Sequence, residues 1–229
     1  MEIETVAAPN WIYDFSDYQQ MYDLTQSDFS KTILDFSAGI SSFNAEASAR
    51  GMKVISVDPA YQLSEAAMDS HARTVLHHTI SQLEADPTRL QNHSADSRQK
   101  IESLWEKTEK LFLQDYATGK SQQRYQSIKL PSFPYSSLQF QLALCTDYVF
   151  HHALSREKVH AILKELARVA EEVRIFPLLD NNGKMPAELG PLMLYFQQKN
   201  YGIEVREVPY HTLKGGNAML RIWEQECRL

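Results

Sequence analysis

Cysteine is scarce in this chain. The two that occur, Cys145 and Cys227, form no CxxC pair and stand at no ligand spacing with histidine, so neither a disulfide framework nor a structural zinc site is supported. Basic runs interleaved with aromatics are also missing, and the net charge is −6; the electrostatic footprint of a nucleic-acid surface is therefore absent. No apolar stretch reaches bilayer length, and the opening "MEIETVAAPNWIYDF" has neither the basic start nor the apolar core of a leader. Together these absences predict a cytoplasmic protein with no membrane and no nucleic-acid partner. With 229 residues, 43% of them hydrophobic, the chain suits a single domain over 1–229 with a substantial core.

What is present alternates between strand and helix signals. Residues 1–30 read as an N-terminal helical segment, because Phe15, Tyr18, Met21, Tyr22 and Leu24 recur near helical spacing. "TILDFS" then reads as a buried strand, "SSFNAEASAR" as a helix capped by Ser41 or Ser42 and ended at Arg50-Gly51, and "KVISVDP" as a second buried strand. Strand, helix and strand within about 30 residues make a right-handed βαβ unit with parallel strands. The alternation stops over about 65–122, where two long helical patterns predict the usual crossover helix plus an inserted helical hairpin. It resumes with "YQSIKL", "LQFQLALCTDYVF" and "VRIFPLL" as strands, a helix from Ser155, and a final helix "ELGPLMLYFQQKN". The last two strands are joined through "KGGN" as an antiparallel hairpin. The fold class expected is α/β: a mostly parallel sheet ending in an antiparallel hairpin, with a helical insertion between strands 2 and 3.

The chemistry concentrates at the strand ends. Asp35 and Asp58 close the first two strands, and ligands of open parallel sheets bind outside those ends, where an acid after the second strand is placed to accept from both ribose hydroxyls of a nucleoside. The alternative for Asp58 is a plain Asp-Pro turn. A dinucleotide pyrophosphate asks for G-x-G-x-x-G, but the corresponding positions are Ser37, Gly39 and Ser42, which argues against NAD. One glycine among small residues is enough for the compact amino-acid tail of a sulfonium nucleoside, with a helix N-terminus near its carboxylate. His151 and His152 follow the fourth strand into a loop, where an imidazole is a candidate base for a hydroxyl acceptor; the alternative is a solvated or helix-capping pair. No histidine cluster has metal spacing, so no metal is expected. Tyr13, Tyr18 and Tyr22 fit either a cover for a ligand pocket or an ordinary packed face.

The stretch "DFSAGISSF", the strand "VISVDP", the proline loop before "FQLALC" and the closing hairpin together resemble the class I S-adenosylmethionine-dependent methyltransferases over nearly the whole chain, and in particular a bacterial group within that family. The resemblance implies a Rossmann-like, seven-stranded fold and an enzyme that binds S-adenosylmethionine and methylates an acceptor. It implies that Asp35, Ser37, Ala38, Gly39 and Ser41 line the methionine end. It puts Asp58 at the ribose, Pro59 beside the adenine or ribose, and Cys145, Thr146 and Asp147 toward the sulfonium. Ser37 and Ser41 depart from the family's glycines, and Ser127-Ile128-Lys129 stands where an acid often meets adenine. "CTDYVFHH" replaces the D-P-P-Y or N-P-P-Y signature that holds a base amine, which disfavours DNA amino-methylation and favours a small-molecule acceptor. The lost glycines also motivate a second reading, a methyltransferase-like module that keeps the fold for binding or interaction. An NAD-dependent oxidoreductase ranks third.

Overall fold

A computed structural model describes residues 11–150, 154–180 and 182–225. Seven strands form one sheet: β1 (Thr32–Phe36), β2 (Lys53–Val57), β3 (Tyr125–Gln126), β4 (Leu142–Thr146), β5 (Glu172–Phe176), β6 (Tyr201–Glu207) and β7 (Ala218–Glu224). Their order is β3-β2-β1-β4-β5-β7-β6, with β1 to β5 parallel and β7 antiparallel to both neighbours. This is the Rossmann-like class I methyltransferase arrangement. The chain reverses direction of spread between β1 and β4, so the crevice where such sheets bind ligands lies at the carboxy ends of those two strands.

Six helices surround the sheet among the described residues: α1 (Phe15–Met21), α2 (Phe43–Ala49), α3 (Glu65–Ala85), α4 (Ala95–Ser121), α5 (Arg156–Val169) and α6 (Leu189–Gln198). Strand alternation divides the core into two apolar clusters. Leu34, Phe36, Ala143 and Cys145 pack with the buried stripe of α5, Val159, Ile162, Leu163 and Leu166. Ile33, Leu144 and Phe176 pack with the aromatics of α1, α4 and the loops above the sheet. Ser155 caps α5 as its sequence predicts, accepting from the Lys158 N–H.

Three elements differ from the sequence reading. The N-terminal helix is one short helix, ended at Tyr22 by Asp23 in the left-handed region (φ 47°); a 3-10 turn over Asp28–Ser30 follows. β3 stops after two residues, because its neighbour β2 ends at Val57, opposite Gln126. The long helical region holds two helices instead of three. α4 is itself the crossover, lying against α2 and β3, and α3 is the added arm. Gly119 is needed on α4, because a Cβ there would run into the Tyr125 ring. Among the described residues no helix is long and apolar enough to cross a membrane.

Candidate functional site

The site is built from the carboxy ends of β1, β2 and β4. The β1 loop leaves the strand through two left-handed residues, Ser37 (φ 60°) and Gly39 (φ 54°). Glycine adopts this conformation at no steric cost, whereas serine pays roughly 1–2 kcal/mol for it. Ser37→Gly is therefore expected to be neutral or stabilising, by up to about 1 kcal/mol once glycine's extra chain entropy is subtracted. A urea-unfolding midpoint below that of the parent would contradict this.

Asp35 is fully buried. Its Oδ1 accepts from the Tyr18 hydroxyl (3.0 Å) and its Oδ2 from the Ser56 hydroxyl (2.7 Å). Burial pushes its carboxyl up to about 7, against the bonds from Ser56 and Tyr18; the nearby Asp58 adds to the rise. Asp58 accepts from the Gly39 N–H (3.2 Å) and the Ala60 N–H (2.8 Å). It thus ties the β1 loop to the 3-10 turn Pro59–Gln62, which it caps. Its carboxyl is also raised by burial, with the two backbone bonds and His71 opposing. Asp147 follows β4 in the left-handed region (φ 50°) and is buried. Burial pushes it up to about 7, while the Tyr13 phenol and the charge of Arg89 act the other way. Three buried acids thus stand at the carboxy ends of neighbouring strands β1, β2 and β4, and the hydrogen-bond partners of Asp35 and Asp58 are all electrically neutral.

The N-terminal segment covers them with tyrosines. Tyr22 donates to Thr146 (2.7 Å), Thr146 to Tyr18 (3.3 Å) and Tyr18 to Asp35, a chain of hydroxyls running from β4 to β1. Burial holds the Tyr13, Tyr18 and Tyr22 phenols protonated, so they serve as donors. The Tyr18 ring stacks on Phe43 (4.2 Å between centroids, 6° between planes) and Phe43 on Phe15. Ser41 donates to the Tyr13 carbonyl (2.8 Å) and accepts from the Phe43 N–H (3.0 Å), so it, not Ser42, satisfies the start of α2. Ser42 donates to Glu46 (2.8 Å), whose carboxylate also accepts from the Phe15 N–H (3.2 Å).

The residues named from the sequence are distributed as follows. Asp35, Ser37, Ala38, Gly39, Ser41, Asp58, Thr146 and Asp147 come together, all of them buried. Pro59 opens the 3-10 turn behind Asp58. Cys145 packs in the α5-side cluster with Leu34 and Phe36, across the sheet from Leu144 and Ile33. His151, the candidate base, lies outside the described residues. Ser56, Arg89 and Tyr210 escaped the sequence reading. Ser56 carried a signal, as a polar residue inside an apolar strand asks for a buried partner. Arg89 and Tyr210 reach Asp147 and Tyr13 from far along the chain, and nothing local announces them. Among the described residues no three acidic, histidine or cysteine side chains are placed to hold a metal ion.

No family model matches the chain. An uncharacterised protein of Methanocaldococcus jannaschii is 27% identical over 215 residues, which cover 91% of this chain and 93% of that one. A SAM-dependent methyltransferase structure from Aquifex aeolicus is 15% identical with a TM-score of 0.42, covering 90% of this chain and 91% of that one. One from Methanosarcina mazei is 10% identical with a TM-score of 0.45, covering 85% and 92%. The fold assignment rests on the strand order and directions given above.

Proposed function

We propose that the chain binds S-adenosylmethionine at the carboxy ends of β1, β2 and β4 and transfers its methyl group to a small-molecule acceptor. The observation that carries this reading is the set of three buried acids, Asp35, Asp58 and Asp147, at the switch point of the sheet. Buried carboxylates persist when a cation or strong donors meet them, and this ligand has both, in its ammonium, its sulfonium and its ribose hydroxyls. The bound group supplies an electrophilic methyl carbon. Asp58 accepts from the ribose while the Gly39 and Ala60 amides orient its oxygens. Asp35, fixed by Tyr18 and Ser56, sets the negative potential at the cationic tail. Transfer itself asks mainly for alignment of nucleophile and methyl carbon, and the tyrosine cover excludes water from it. The net charge of −6 supports a small acceptor over nucleic acid. NAD suits the site poorly, since Ser37 and Ser42 stand where a pyrophosphate loop asks for its first and third glycines.

Isothermal titration with S-adenosylmethionine and its demethylated product tests the reading. Saturable heat is expected, and Asp58→Ala is expected to weaken binding roughly 10- to 100-fold, the value of one or two hydrogen bonds to a charged group. One observation favours a second reading, the binding module: the β1 loop is buried throughout and Phe43 is stacked beneath Tyr18. Folded protein giving no heat with either ligand would leave that second reading standing.

A further inference from the structure

The α3–α4 arm runs from the end of β2 to the link between β6 and β7. α3 starts beside β2, and the turn after it pairs with the link between β6 and β7: the Gln91 N–H donates to the Thr212 carbonyl (2.9 Å), and the Lys214 N–H to the Arg89 carbonyl (2.9 Å). The span from β2 to β7 is four strand spacings, about 19 Å, and the 21 residues of α3 reach about 31 Å. β1, β4 and β5 lie in that span, and the arm brings His71 near Asp58 and Arg89 near Asp147. Its tip faces both ways. Arg89 is felt by Asp147 and lies over the Trp11 ring (5.5 Å). Gln91, with His211, Leu213, Gly215 and Asn217, lines a cavity of about 430 Å³ on the other side.

The two covers of the site are fastened very differently. α1 is held by the Tyr18–Phe43 stack, by the hydroxyl chain and by Arg174, whose guanidinium donates to the Tyr22 carbonyl (2.8 Å). The base of the arm is equally firm. Tyr116 donates to the carbonyls of Leu63 (3.0 Å) and Tyr61 (3.2 Å), and Arg124 makes a two-pronged pair with Asp115 (2.6 Å each). The turn at the tip is tied across by the two backbone bonds, the buried Leu90–Leu213 pair and Arg89 on Trp11, whose ring also meets Trp105 of α4 edge-on (5.5 Å); Asp86, Thr88, Gln91, Asn92 and His93 around it are exposed. Exposed turns tied by few backbone bonds are where local opening starts.

We propose that the outer half of the α3–α4 arm is a gate, latched at Leu90–Leu213, whose release joins the cavity beside Gln91 and His211 to the buried acids and admits the ligand. The inference rests on the proposed ligand only in what it admits, because the opening is readable without it.

Leu90 and Leu213 form a pair flanked by, not joined by, backbone bonds. Such pairs have Cα atoms about 4.5 Å apart, within disulfide range. In the Leu90→Cys/Leu213→Cys protein, oxidation is expected to slow hydrogen exchange at the Gly39 amide by at least about tenfold and reduction to restore it, with the reduced form serving as the control for the lost leucines. Equal Gly39 exchange in both forms would overturn the gate. Titration with S-adenosylmethionine separates the two ideas. Binding by the reduced form alone supports both, and binding by both forms overturns the gate. A redox-dependent Gly39 amide without binding in either form supports the gate and removes the ligand. If the double variant does not fold, exchange of the unaltered protein decides. The Gln91, Lys214 and Gly39 amides are expected to open together, well before those of β4, and opening only with β4 would overturn the gate.

Discussion

Replacing Arg174 with alanine is expected to lower the unfolding free energy by about 3–5 kcal/mol, the cost of leaving buried charges without their partner. Arg174 is 5% exposed in the middle of β5. It donates to both carboxylate oxygens of Asp28 (3.2 and 3.1 Å), to Glu172 (2.7 Å) and to the Tyr22 carbonyl. Asp28 is 2% exposed. Burial alone would raise its carboxyl, but the Lys31 ammonium, the Thr25 N–H and Arg174 outweigh it and hold it well below the usual carboxylate range. Its share of stability is present above pH ~4 and is lost as pH falls through its folded value. Arg174→Ala should therefore both weaken the protein and shift its acid unfolding to higher pH; Arg174→Met, which keeps the bulk, should recover only the packing part. Urea unfolding at pH 7 and pH 3 reads both. A loss below about 1 kcal/mol would class the contact with ordinary surface pairs and remove its role as the anchor of α1.

Arg174 also shows what the sequence could and could not disclose. Its strand was legible as an apolar run, and a lone charge inside such a run signals a buried partner. The partner stands 146 residues earlier, and no spacing rule reaches that far. The same division runs through the site. Asp35, Gly39 and Asp58 were readable because a strand, a small-residue turn and a helix follow each other locally, and parallel topology then dictates which strand ends meet. The helix breaks were less readable, since left-handed residues such as Asp23 and Ser37 are not glycines and carry no mark of their conformation. The arm was legible as a helical insertion near the strand ends, whereas the latch at its tip was not. That latch depends on two backbone bonds between segments about 120 residues apart, which no side-chain pattern encodes.

The second large effect concerns pH. Asp35 and Asp147 are pushed up to about 7 by burial, and Asp58 is raised as well. A group whose folded value lies above its unfolded one stabilises fully below the unfolded value, near 3.8 here, and loses that contribution as pH rises through the folded value. Stability is thus expected to decline between pH ~4 and pH ~8 by on the order of several kcal/mol, opposite in direction to the acid-side loss from Asp28. The result is a maximum on the acidic side of neutrality. Asp35→Asn and Asp147→Asn, which keep shape and remove the titration, should each flatten the decline and raise the urea midpoint at pH 8 above the parent's; midpoints equal to the parent's across that range would show that these acids carry no strain. The same strain is what a cationic ligand relieves. Bound S-adenosylmethionine should favour the carboxylates, release protons near pH 6 and raise the melting temperature more at pH 8 than at pH 5. Titrations in buffers of different ionisation enthalpy read the proton release directly. A cation that entered without touching Asp35 or Asp147 would leave the heats independent of buffer.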